Sequence, residues 1–146
     1  MISMEKIEAN WAKDSQIDQT DLEYDSSKQL DLHQKYHKAL NEARRELRMR
    51  EAAKKRMIPL KQDYYSNTLP PQELKKYGWE PNRRVILKSD LNQVLESDED
   101  IIQANLDIGE MHDLVVYLES IIRAINQKPF IVKNMLETRK INYGIN

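Results

Sequence analysis

The sequence has no cysteine and only three glycines among 146 residues. Without cysteine there is no disulfide, no thiolate nucleophile and no Cys-based zinc site, which suits a reducing compartment. Gly78, Gly109 and Gly144 are isolated from one another, so no Gly-rich phosphate loop exists and no nucleotide hydrolase is expected. So few glycines also leave a β protein short of turns, while 32% charged and 40% hydrophobic residues fit a helical one. No stretch reaches about 18 continuous apolar residues and the start carries no apolar signal core, so neither a membrane span nor export is expected. The length suits one domain with a modest core.

Catalytic chemistry is missing too. No Ser/His/Asp nucleophile pattern is recognisable, and Asp98, Glu99 and Asp100 are consecutive at a helix start, where capping explains them better than catalysis. His33 and His37 stand four apart, as metal ligands do on a helix, but no third ligand is placed with them. No enzyme activity, metal or cofactor is expected.

What is present is segregated charge. The net charge of −1 conceals eight acids and three bases in 1–31, thirteen bases and five acids in 44–88, and nine acids with no base in 90–119. Arg44 to Tyr65 holds eight Lys or Arg against three acids and ends in two tyrosines. Wound as a helix, Arg44, Arg48 and Lys55 fall within about 40° of one another, and Arg45 and Arg56 widen the face to roughly 120°. Such a face releases counterions from a phosphate chain, and nearby rings stack on unpaired bases; Tyr64, Tyr65, Tyr77 and Trp79 are candidates. The alternative is a solvated face with satisfied ion pairs.

Along the chain, residues 4–13 form a short helical candidate with Trp11 as a packing anchor. A helical pattern then runs from Thr20 or Asp21 to Ile58, with Tyr36, Leu40, Ala43 and Leu47 on a narrow apolar stripe. Pro59 is expected to kink or end it. Pro70 to Gly78 reads as one short helical turn set with Pro at its start and Gly just past its end. Trp79 to Leu87 is a connector, and Arg83 to Lys88 a loop or short hairpin. Ser97 to Asp100 caps the clearest helix, in which Ile101, Ala104, Ile108, Met111, Val115, Leu118, Ile122 and Ile125 repeat at 3-4 spacing as a heptad seam. Ile102, Leu114, Tyr117 and Ile121 form a second apolar face. Self-association and an intramolecular core are both open for the seam. Pro129 is expected to reset the chain before a last amphipathic helix with Phe130, Ile131, Met135 and Leu136. The fold class is mainly α: a long N-terminal helix, an irregular connector with a possible short hairpin, and C-terminal heptad helices that mediate oligomerisation. With the basic face taken as DNA-binding and the seam as self-associating, residues 1–88 are expected to be a helical DNA-binding region and 89–146 a helical oligomerisation region, together one structural unit.

Over nearly its whole length the chain resembles the UvsY recombination mediator proteins of T-even-like phages. The similarity lies in Ile17-Asp18-x-Thr20-x-Leu22-x-Tyr24, in Glu51-Ala52-x-Lys54-Lys55 leading into Asp63-Tyr64-Tyr65-Ser66, and in Ala124-Ile125 followed by Phe130 and Lys133. It implies a non-enzymatic protein of DNA recombination, repair and replication in the host cytoplasm. It implies single-stranded DNA binding as a homo-oligomeric ring held largely through C-terminal helices. The implied action is to help a UvsX-type recombinase replace the single-stranded-DNA-binding protein. One segment departs from the family: its Lys-Ala-Arg-Leu before the tyrosines is here Pro59-Leu60-Lys61-Gln62. The expected DNA contacts are therefore Arg44, Arg45, Arg48, Lys54, Lys55 and Arg56, with Lys61, Tyr64 and Tyr65 as their rim. The expected oligomerisation residues are Ile101, Ile108, Met111, Val115, Leu118, Ile122 and Ile125. The alternative function is a non-enzymatic helical adaptor or scaffold that turns its basic face to a protein partner.

Overall fold

A computed structural model describes residues 2–17, 20 and 27–144, and among these all regular structure is helical. The elements are α1 (Met4–Asp14), α2 (Gln29–Tyr65), α3 (Pro71–Tyr77), α4 (Leu91–Glu96) and α5 (Glu99–Asn142). The expected start of the long helix at Thr20 or Asp21 lies largely outside the described residues; its described part begins at Gln29. The connector is irregular and has no strand at 83–88, while the short α4 beyond it had no signal in the pattern.

By contacts the chain divides into two compact units, Met1–Arg45 with His112–Asn146, and Glu46–Met111. In the first, Ile7, Leu32, Tyr36, Leu40 and Ala43 are buried, as are Leu114, Val115, Leu118, Ile121, Ile125 and Val132. Trp11 meets Tyr36 edge-on at 5.4 Å between ring centroids, and the Tyr36 hydroxyl donates to Asp14 at 2.8 Å, so α1 is tied to α2 by an apolar and a polar contact. In the second, Leu95, Ile101 and Met111 are buried together with two charged residues, Lys61 and Asp98.

Both prolines expected to interrupt helices lie inside them. Pro59 removes one amide from α2 and Pro129 one from α5. An interior proline costs about 3 kcal/mol and orphans the carbonyl four residues before it. For Pro129 that carbonyl belongs to Ile125, and the Gln29 side-chain amide donates to it at 2.9 Å. A tertiary donor thus replaces the missing backbone one, and α5 continues through Pro129 with Ile125 and Val132 buried on either side. For Pro59 the orphaned carbonyl is that of Lys55, an exposed residue, and the last turn of α2 is held by the contacts described below. Replacing Gln29 by alanine is expected to destabilise the first unit by about 1–3 kcal/mol, since it leaves a part-buried acceptor unpaired. Thermal melting of the variant against wild type measures this.

The N-terminus of α5 follows the sequence expectation. Asp98 Oδ1 accepts from the amides of Asp100 at 2.9 Å and Ile101 at 3.1 Å, and two acids fill the first turn. Gly78 ends α3 with φ +70, in the left-handed region where a side chain would be strained, and the Trp79 amide closes back on the Leu74 carbonyl at 2.9 Å.

Candidate nucleic-acid interface

The second unit carries the C-terminal half of the basic helix. At 100° per residue Arg48, Lys55 and Arg56 lie within about 100° of one another on α2. All three are exposed, and none forms an ion pair among the described residues. Lys54 falls off this face. It is half-buried and lines a groove with Arg50, Asp100 and Asp107. Arg50 is held in place as well, through Glu46 at 3.3 Å and the Asp107 carbonyl at 2.9 Å. In the first unit, Arg45 is exposed, whereas Arg44 reaches Glu119 at 3.3 Å in a pair that solvent screens. The His33 and His37 rings lie 5.7 Å apart and tilted by 31°, and no group of three or more metal-ligating side chains occurs among the described residues.

Lys61 does not form a rim cation. It is 5% exposed, with its ammonium 3.1 Å from Asp98 Oδ2 and 2.8 Å from Asp100 Oδ2. The Tyr65 hydroxyl donates to the same Asp98 oxygen at 2.6 Å. The physical reason is the loss of water on the inner face of the last α2 turn: a desolvated ammonium needs a carboxylate partner, and the N-terminus of α5 supplies two. Tyr64 and Tyr65 are half-buried packing groups rather than free stacking rings. Their centroids are 5.0 Å apart, Tyr64 lies 5.4 Å from Trp79, and the Tyr64 hydroxyl donates to the Glu80 carbonyl at 2.7 Å. Together these contacts pin the helix end beyond Pro59. The Lys61–Asp98–Tyr65 triad left no trace in the local pattern, since Asp98 was legible only as a cap.

Each member shifts in its proton affinity. Burial pulls the Lys61 ammonium down, but hydrogen bonds with Asp100 and Asp98 outweigh it and hold the pKa above the ordinary 10.5. Burial pushes the Asp98 carboxyl up, but hydrogen bonds from Tyr65, Lys61 and the Ile101 amide outweigh it and hold it below the ordinary 3.8. Burial and the bond to Asp98 both raise the Tyr65 phenol above its ordinary 10.0, keeping it a neutral donor. A lowered carboxyl stabilises the fold above its unfolded pKa, and a raised ammonium does so below its own. The triad's contribution is therefore expected to be constant between about pH 5 and pH 10. It is expected to fall as acid passes below the lowered Asp98 pKa and as alkali rises through the raised Lys61 pKa. Denaturant midpoints across pH, compared with an Asp98→Asn variant, check both edges.

The heptad seam is used inside the chain. Ile101 and Met111 are buried in the second unit and Val115, Leu118 and Ile125 in the first, while Ile108 and Ile122 are half-buried. Of the two uses open for the seam, an internal core is the one the packing shows. The apolar surface left exposed on α5 lies elsewhere, including Val116, Phe130, Ile131, Leu136 and Ile141.

The sequence profile of the family described as "Recombination, repair and ssDNA binding protein UvsY" matches residues 10–145. The chain belongs to the UvsY family. It is 24% identical over 141 residues to the recombination protein uvsY of Enterobacteria phage T4, covering 97% of this chain and 98% of that one. Its fold matches crystal structures of the bacteriophage T4 recombination mediator protein UvsY. The type II lattice gives a TM-score of 0.82 at 22% identity, covering 98% of this chain and 99% of that one. The type I lattice gives 0.80 at 23% identity, covering 94% and 98%. At these identities the structural match establishes the shared helical fold. Membership of the family comes from the profile. No helix among the described residues is long and apolar enough to cross a membrane.

Proposed function

We propose that this UvsY-family chain is a non-enzymatic recombination mediator that binds single-stranded DNA as a homo-oligomer. Its action is to promote loading of a UvsX-type phage recombinase onto DNA covered by single-stranded-DNA-binding protein, in the host cytoplasm. Arg48, Lys55 and Arg56 carry this reading, because they are exposed, share one face of α2 and have no acidic partner of their own among the described residues. Cations left open in this way are free to replace counterions on a phosphate chain. Arg45 adds to the same function from the first unit, and Arg44 joins when its screened pair with Glu119 opens.

Oligomerisation multiplies such contacts on one strand, so avidity turns weak phosphate contacts into tight, salt-sensitive binding. The exposed apolar residues of α5 are the surface best suited to a second copy, since the buried seam residues are occupied at home. Val115→Asp or Leu118→Asp would therefore damage the fold itself. Phe130→Asp with Leu136→Asp is the cleaner substitution: it is expected to leave helicity intact and to yield smaller species in native mass spectrometry. An unchanged subunit number would remove this face from the oligomer.

Length-dependent binding of oligo-dT, followed by recombinase filament assembly on protein-covered single strands, tests the function. Stimulation of assembly supports it. A helical adaptor for a protein partner would show neither effect.

A further inference from the structure

The connector holds a basic-aromatic cluster outside the helix face just described. Tyr77 and Trp79 stack with centroids 4.8 Å apart and planes 24° from parallel. Trp79 is also held by the Lys61 ammonium, 4.2 Å from its ring centroid, and by Tyr64, 5.4 Å away. Lys61 is itself immobilised by Asp98 and Asp100, and the left-handed turn at Gly78 folds Trp79 back on the end of α3. The platform therefore rests on buried groups, while Tyr77 is 38% exposed. In sequence it is flanked by Lys75, Lys76, Arg83 and Arg84, which are exposed, and none of them forms an ion pair among the described residues. Lys76 reaches to 5.5 Å from the Tyr77 centroid, and the carbonyl of Arg84 accepts from Asn67 and Asn82 at 3.3 Å each, which fixes the loop.

We propose that this Tyr77–Trp79 platform, with Lys75, Lys76, Arg83 and Arg84, is a second contact for single-stranded nucleic acid, in which an unpaired base stacks on Tyr77 and the cations take the flanking phosphates. The inference rests on the single-strand binding proposed above. A prearranged, half-exposed ring flanked by unpaired cations has the two components that sequence-tolerant single-strand binding needs, and little side-chain ordering remains to be paid on binding. The contact also answers the segment 59–62: its one cation, Lys61, faces carboxylates, so the phosphate-facing charge near the end of α2 comes from the connector instead. Glu80, Glu99 and Asp100 line the cavity beside Trp79 and keep phosphates out of it, which directs the strand to the Tyr77 side.

The chain has two tryptophans, so Trp11→Phe leaves Trp79 as the sole indole reporter. In that full-length background, oligo-dT is expected to quench Trp79 fluorescence. Tyr77→Ala is expected to weaken binding by about 5- to 100-fold without changing the salt slope, because stacking releases no counterions, and Tyr77→Phe is expected to restore it. Lys75→Gln with Lys76→Gln is expected to lower the slope by up to about 1.4. If the parent binds oligo-dT but shows no Trp79 response and tolerates Tyr77→Ala, the connector contact is wrong while DNA binding stands. Poly-glutamate quenching Trp79 as strongly as oligo-dT would replace it with an acidic protein partner. If the parent binds no oligo-dT at all, the single-strand reading itself fails.

Discussion

Replacing Lys61 with methionine is expected to lower stability by about 3–5 kcal/mol, the range for removing one partner from a buried ion pair. The substitution keeps most of the side-chain volume but leaves the Asp98 carboxylate with only Tyr65 and backbone amides as donors. Asp100 is half exposed and recovers water, so the loss falls on Asp98. Because the same contacts hold the last turn of α2 beyond Pro59, that turn is expected to fray first, which amide hydrogen exchange at residues 60–65 would read. Lys61→Met with Asp98→Asn, tested against the two single variants, completes a double-mutant cycle. A coupling near zero would show that the pair is not what holds the helix end.

The second large effect is on binding. Arg48→Glu with Lys55→Glu and Arg56→Glu removes three exposed cations and introduces three acids on one face of α2. Single-stranded DNA affinity is expected to drop by at least about 100-fold at low salt, and the slope of log affinity against log salt to shrink by about 2, at ~0.7 per lost phosphate contact. Melting temperature is expected to move little, since exposed side chains without ion pairs contribute little to stability. Fluorescence anisotropy of a labelled oligo-dT across a salt series measures both affinity and slope.

These two outcomes separate residues that the sequence places in one group. Lys55 and Lys61 lie six apart in the same basic run, and charge counting treats them alike. What divides them is the N-terminus of α5, which brings Asp98 and Asp100 to Lys61 from far along the chain. The features legible beforehand were those whose cause is local. The Asp98 cap, the glycine ending α3 and the helical nature of the heptad stretch each follow from a few neighbouring residues. Pro129 shows the converse. Its local rule calls for a break, and the group that cancels the rule is Gln29, 96 positions from the carbonyl it serves. The seam belongs to the same class, since its periodicity fixes an apolar face of α5 without saying which surface covers it.

The most direct test of the account is the salt dependence of oligo-dT binding by three folded proteins: wild type, the Arg48/Lys55/Arg56 charge-reversal variant and Lys61→Met. The wild type is expected to bind with a steep negative slope and the charge-reversal variant with a shallow one. Lys61→Met, measured where it remains folded, is expected to keep the wild-type slope. A slope unchanged by charge reversal but flattened by Lys61→Met would contradict the assignment of the exposed α2 face to DNA and of Lys61 to the fold.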